Sequence, residues 1–219
     1  MMPSDVAATC LAVLEAQIAQ CRRCVDAGYI ERANPIAGSR GRASDRIMLI
    51  GQAPGRLSVE RGIPFGGPGG AMLEHWLTRA GFPPNSLRTS IYLSALTRCF
   101  PGKHPTGKGD RAPSPAEIAL CQPWRDAEFA LVNPTLVLLV GGLAIRTFLG
   151  AGPLDAMVGK LIDRNDRLWL PLPHPSGVSR WLNATANQRL LTQALQLLAD
   201  WRTTQANVQA GRAEADAST

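Results

Sequence analysis

Cys21-Arg22-Arg23-Cys24 sets two thiols three residues apart at the end of a helical repeat, and Cys99 and Cys121 stand as singletons further along. Thiolates ligate zinc and iron–sulfur clusters, and four of them complete either kind of site. A zinc ribbon usually repeats two close pairs, whereas this chain carries one. One pair plus two singletons gathered by the fold suits a cuboidal cluster better. By spacing alone, a cluster, a zinc site and ordinary buried thiols all stay open. Cys10, on the face of the preceding helical repeat, is expected to bind nothing.

Three further segments could meet a ligand. Gly51-Gln52-Ala53-Pro54-Gly55 lets backbone approach closely and offers an amide that both donates and accepts. It lacks the GK[ST] of a phosphate-binding loop, and a Gly-rich turn is by itself a weak signal. Phe65, inside the Gly-rich run Gly62 to Gly70, is either a stacking platform for a base or a core residue. That run also opens a helix whose first amides can hold a phosphate. His174-Pro175-Ser176 follows a strand, with Arg180 and Trp181 beyond, and a histidine there can donate to developing negative charge. The loop carrying Lys103, His104, Lys108 and Arg111 is basic enough to meet a DNA backbone, or is simply a solvated surface loop.

Composition narrows the setting. Hydrophobic residues make up 45% and charged residues 18% of 219 residues, within the range of one packed globular domain. The net charge of +6 makes a polyanionic partner plausible without proving one. The N-terminal stretch lacks the basic and apolar regions of a signal peptide, and no apolar run is long enough to span a bilayer. A cytoplasmic protein is expected, a compartment in which five cysteines point to metal or redox chemistry more than to a disulfide framework.

The elements that must position these residues alternate. Helical patterns cover Ala8 to Gln20, Met72 to Ala80, a stretch capped by Ser114 and running to about Val132, one after Gly141-Gly142 to about Leu149, and Asn183 to about Trp201. Apolar strands are expected at Asp45 to Gly51, Ser90 to Leu96, Thr135 to Val140 and Arg167 to Leu170. Strands apolar on both faces, separated by helices, imply a parallel sheet covered by helices. Ligands then bind beyond the carboxyl ends of the strands, so the Gly51–Gly55 turn, the segment around Cys99 and His174 should line one cleft. Residues 1–202 read as a single domain and 203–219 as a disordered tail.

The order of these motifs resembles the iron–sulfur branch of the uracil-DNA glycosylase superfamily, families 4 and 5. The shared order is CxxC, G-x-A-P-G after the first strand, P-F-x-G-P-x-G, a strand ending in Cys, a Cys in a helix, then HPS. The resemblance implies an α/β fold, a three-layer α/β/α sandwich around a central four-stranded, mainly parallel sheet. It implies a [4Fe–4S] cluster on Cys21, Cys24, Cys99 and Cys121, and hydrolytic release of uracil or other deaminated bases from DNA by a monomer. Phe65 matches the aromatic that stacks on the flipped base, and His174 the histidine that steadies the leaving base. Pro175 and Ser176 match the loop pressed on the minor groove, with Arg180 following. Gly51, Ala53, Pro54, Gly55 and Ala95 match the base pocket.

The departures are specific. Family 4 has an acidic residue where Gln52 stands, family 5 an Asp after the Phe-x-Gly segment, and this chain has neither. The uracil-reading Asn of family 4 corresponds to Ala95, as in family 5. Gln52 is therefore expected to orient water without taking its proton. A further relative has a basic insert whose histidine bonds covalently to the abasic sugar; the insert here carries His104 but not that relative's motif. Backbone contact is the favoured role for Lys103, His104, Lys108 and Arg111. The alternative to a glycosylase is a non-catalytic or covalently trapping binder of uracil or abasic DNA.

Overall fold

The computed structural model describes residues 4–37, 46–107, 109–175 and 180–217. Two residues singled out above, Lys108 and Ser176, lie outside that set. The chain runs α1 (Ser4–Ala19), α2 (Arg23–Asp26), β1 (Ile47–Gly51), α3 (Arg56–Arg61), α4 (Pro68–Arg79), α5 (Ser86–Thr89) and β2 (Tyr92–Ala95). It continues through α6 (Pro115–Val132), β3 (Leu136–Val140), α7 (Gly142–Leu149), α8 (Leu154–Met157), β4 (Ile162–Arg164), β5 (Arg167–Leu172), a 3-10 turn (Arg180–Asn183) and α9 (Thr185–Ala217).

The strands form one sheet in the order β2-β1-β3-β5-β4. The pairs β1–β2, β1–β3 and β3–β5 are parallel, and β4–β5 is antiparallel. Side chains alternate across it with period two. Ile47, Leu49, Leu93, Leu136, Leu138, Leu170 and Leu172 face a core closed by Leu73, Trp76 and Leu77 of α4 and Leu191, Leu195 and Leu198 of α9. Met48, Ile50, Tyr92, Val137, Leu139 and Trp169 face a second core, closed by Leu11, Leu14 and Ile18 of α1, Val132 of α6 and Ile145 of α7. Burying one such aliphatic side chain contributes about 1.5–3 kcal/mol, so covering both faces is what holds the three layers together.

The sheet has five strands, one more than the sequence reading gave. The added strand β4 pairs back on β5 through Asn165-Asp166, whose φ angles of 53° and 58° are the positive pair of a two-residue hairpin turn. Its burial pattern is that of an exposed edge, so it lacks the apolar run that revealed the others. The second correction concerns the C-terminal end. The helix expected to stop near Trp201 continues to Ala217, through the segment read as a disordered tail. Five of residues 203–217 are alanine, the strongest helix former, and no proline stops the helix there. At α6 the reading holds residue by residue: the Ser114 hydroxyl accepts from the Glu117 N–H at 3.2 Å, and the Glu117 carboxylate accepts from the Ser114 N–H at 2.7 Å.

Candidate active site and cysteine cluster

The parallel strands all point their carboxyl ends toward one cleft of about 590 Å³. Gly51, Gln52, Ala53, Pro54 and Gly55 line it after β1, Ala95 at the end of β2, Val140 at the end of β3, and His174 and Pro175 after β5. Phe65 and the Gly67–Gly70 start of α4 complete the wall. The expected convergence of the strand-end loops is therefore present.

Phe65 is held in a conformation that a bulky residue seldom adopts, with φ of 50°. Arg88 donates to the Pro64 carbonyl and, at 3.0 Å, to the Phe65 carbonyl. The ring lies against the end of β1: a methyl built on Gly51 would come within 2.7 Å of its Cζ. Gly51 thus has a steric reason that a tight turn alone would not require. The half-buried ring keeps one side toward the cleft. A strained residue fixed by a buried neighbour in a ligand cleft is a common device for pre-setting a contact.

His174 lines the same cleft after β5. Its ring packs on the first turn after β3, where a methyl on Gly141 would meet its Cδ2 at 3.1 Å. The burial it experiences lowers its pKa below the ordinary imidazole value. The side chain nonetheless remains open to solvent, which screens the effect. At neutral pH the ring is therefore uncharged, with one N–H to donate. Pro175 is buried, and its Cγ lies 3.5 Å from where a methyl on Gly69 would be, so the loop after β5 is braced against the start of α4. Arg180 begins the 3-10 turn beyond, exposed.

The basic loop contributes differently from residue to residue. Lys103 and His104 are exposed. The His104 ring is turned onto its own loop, with Nδ1 at 2.9 Å from the Thr106 hydroxyl and accepting from the Thr106 N–H at 3.3 Å, and it does not line the cleft. Arg111 lines the cleft, but its guanidinium is spent on a two-pronged pair with the Glu117 carboxylate at 2.7 and 2.8 Å and a bond to the Tyr29 carbonyl at 3.1 Å. It anchors the loop to the start of α6.

Several lining residues carried no motif signal: Ser94, Thr97, Arg98 and Asp110. Arg98 is buried and pairs with the Glu128 carboxylate, which also accepts from Tyr92 Oη at 3.0 Å and Ser94 Oγ at 2.9 Å. The only sequence hint of Asp110 is that it is the lone acid in an otherwise basic loop.

Behind this wall the cysteines gather. Cys99 follows β2, Cys121 lies in α6, and Cys21 and Cys24 flank the start of α2. Burial first, and then the charges of Cys121, Glu117 and Cys21, together push the Cys24 thiol up to about 11, against a lowering by Arg111. Burial outweighs a lowering hydrogen bond at Asn34 and, together with the charges of Cys24, Cys121 and Cys21, raises Cys99 to about 12. Such mutual repulsion is what a bound cationic centre removes. Two N–H groups already point at sulfur: the Trp124 indole donates to Cys21 Sγ and the Arg98 amide to Cys121 Sγ, each at 3.3 Å. Among the described residues no three Cys, His, Asp or Glu side chains meet around a point where one metal ion could sit. Cys10 lies apart, in α1.

Comparison with known proteins agrees with this arrangement. The sequence model of the Uracil DNA glycosylase superfamily matches residues 39–199. The chain is 26% identical over 162 residues to a type-4 uracil-DNA glycosylase of Thermotoga maritima, covering 69% of this chain and 75% of that protein. It is 34% identical over 128 residues to a type-5 uracil-DNA glycosylase of Thermus thermophilus, covering 53% and 55%. A type-4 enzyme of Archaeoglobus fulgidus is 27% identical over 130 residues, covering 59% of each. With its sheet, its cleft and a match spanning most of its length, the chain belongs to the uracil DNA glycosylase superfamily.

Proposed function

We infer that the protein is a monofunctional DNA glycosylase that hydrolyses the N-glycosidic bond of uracil in DNA and leaves an abasic site. The observation that carries this reading is the meeting of Phe65, the Gly51–Gly55 turn and His174 on one cleft beyond the strand ends. The bond is unreachable inside a base stack, so the nucleotide must be extruded into that cleft. Phe65 offers its exposed face to the flipped base. Cleavage passes through an oxocarbenium-like state in which the electron pair of the C1′–N1 bond leaves with the base. The uncharged His174 ring donates to the oxygen on which that charge collects. Gln52, half-buried in the turn after β1, orients the water. The positive charge of Lys103 and Arg180 suits the flanking phosphates.

Cys21, Cys24, Cys99 and Cys121 would hold a [4Fe–4S] cluster. The donor set fits: four thiols, two N–H groups directed at sulfur, and a buried arginine beside them. Four thiolates are the ligand set such a cluster would take. When bound, it ties α2 and α6 to the segment after β2 and takes no part in breaking the glycosidic bond.

The test is release of free base from oligonucleotides containing uracil, hypoxanthine or xanthine, single- and double-stranded. Uracil release that disappears in His174→Ala supports the reading. Tight binding of abasic DNA with no release of any base would replace it with a lesion-binding role. Covalent trapping by His104 finds little support, because that ring is turned onto Thr106 and away from the cleft.

No helix among the described residues is long and apolar enough to cross a membrane.

A further inference from the structure

We propose that Asp110, carried into the cleft by the loop between Cys99 and Cys121, is the carboxylate that accepts the proton of the attacking water. The inference rests on the glycosylase reading above. The chemistry leaves a gap there: Gln52 is an amide, the Phe65-Gly66-Gly67 stretch is without an acid, and an amide can orient water but not deprotonate it. Glu60 does not fill the gap, because it is exposed on α3, pairs with Arg56 and does not line the cleft.

Asp110 does line it. Its Oδ2 lies 3.1 Å from the position a methyl on Gly55 would occupy, so the carboxylate is set against the turn that carries Gln52. A side chain at position 55 would push that carboxylate back by a few tenths of an ångström. The approach is also built. The loop folds back on itself through an antiparallel bridge between Lys103 and Asp110, with His104 N–H donating to the Gly109 carbonyl at 3.0 Å and Arg111 N–H to the Gly102 carbonyl at 3.0 Å. One residue beyond Asp110, the two-pronged Arg111–Glu117 pair fixes the loop to α6. A carboxylate held this way loses little freedom in becoming part of a reacting geometry.

The step balances as follows. The water oxygen forms a bond to C1′ as the C1′–N1 bond breaks, and the bonding pair departs with the uracil ring as an anion steadied by His174. The proton released from the water goes to the Asp110 carboxylate and from there to solvent. The same negative charge also lies toward a sugar that is positively charged in the transition state.

An acid on a DNA-facing loop without this role would only repel phosphate. Its removal would then tighten DNA binding and leave excision equal or faster. That opposite sign makes the test decisive. Single-turnover excision of uracil from single-stranded DNA should be measured for wild type, Asp110→Asn and Asp110→Glu, together with the affinity of each for abasic DNA. We expect Asp110→Asn to slow excision on the order of a hundredfold with abasic-DNA affinity unchanged or tighter, and Asp110→Glu to recover part of the rate. Asp110 is exposed, so neither variant threatens folding. Excision by Asp110→Asn within about threefold of wild type would overturn the proposal alone. A wild type that releases no base would overturn the glycosylase reading and the proposal with it.

Discussion

The ring of Phe65 rests on Gly51 so closely that a single methyl at Gly51 would come within 2.7 Å of the ring's Cζ. The last residue of the first strand and the cleft aromatic are thus one steric unit, although thirteen residues of chain lie between them. Arg88 locks the other side of that unit by holding the carbonyls of Pro64 and Phe65.

It follows that Gly51→Ala should displace the ring without undoing the strand. Excision is expected to fall on the order of tenfold to a hundredfold, as for a misplacement of about one ångström in a reacting geometry. Far-ultraviolet circular dichroism should stay as in wild type. Kinetics on a uracil-containing oligonucleotide would check this, and full activity would show that the ring contact is dispensable.

His174→Ala would remove the donor proposed for the leaving base. A loss of about 10²–10³ in the single-turnover rate is expected, the usual effect of deleting one donor to a developing anion. The pH course follows from the direction of the pKa shift. The folded pKa lies below that of the unfolded chain, so protonation favours the unfolded state. Stability credited to the neutral ring is present above the ordinary imidazole pKa and is lost as pH falls through that value toward the lower folded one. Thermal unfolding midpoints across that window should fall more for wild type than for His174→Gln.

Glu117 joins the basic loop to α6. Burial alone would raise its pKa, but the hydrogen bonds from Arg111 and Ser114 prevail and hold the carboxyl below the usual carboxylate value. Its contribution is therefore complete above the unfolded glutamate pKa and is lost as pH falls through the lower folded value. Acid titration of the thermal midpoint should show a steeper decline for wild type than for Glu117→Gln. At neutral pH, Ser114→Ala should cost about 1 kcal/mol through the lost helix cap.

Iron and acid-labile sulfide analysis of protein purified without oxygen should find about four of each per chain. Cys99→Ser and Cys121→Ser should lose the brown chromophore and much of the thermal stability. Cys10→Ser should keep both, since Cys10 stands apart in α1. Colour lost from Cys10→Ser and retained in Cys99→Ser would reverse the ligand assignment.

What the sequence by itself determined was whatever is written locally. Strands apolar on both faces announced a covered parallel sheet, because burial on two sides removes the need for alternation. Ser114, Pro115 and Glu117 announced the start of α6, because capping is settled within four residues. The motif order announced the family and, from it, the cleft residues Gln52, Phe65 and His174. Tertiary structure decided the rest. The edge strand β4 is too short and too exposed to carry an apolar signal. The segment past Trp201 is helical to Ala217 but carries no apolar repeat, so nothing in its sequence marked the helix against coil. The pairing of Arg111 with Glu117 is likewise invisible in sequence, since charge along a chain does not say which charge it will meet. Asp110 was passed over for the same reason. No motif marks it, and its relation to Gly55 exists only because the fold brings together residues with 54 others between them.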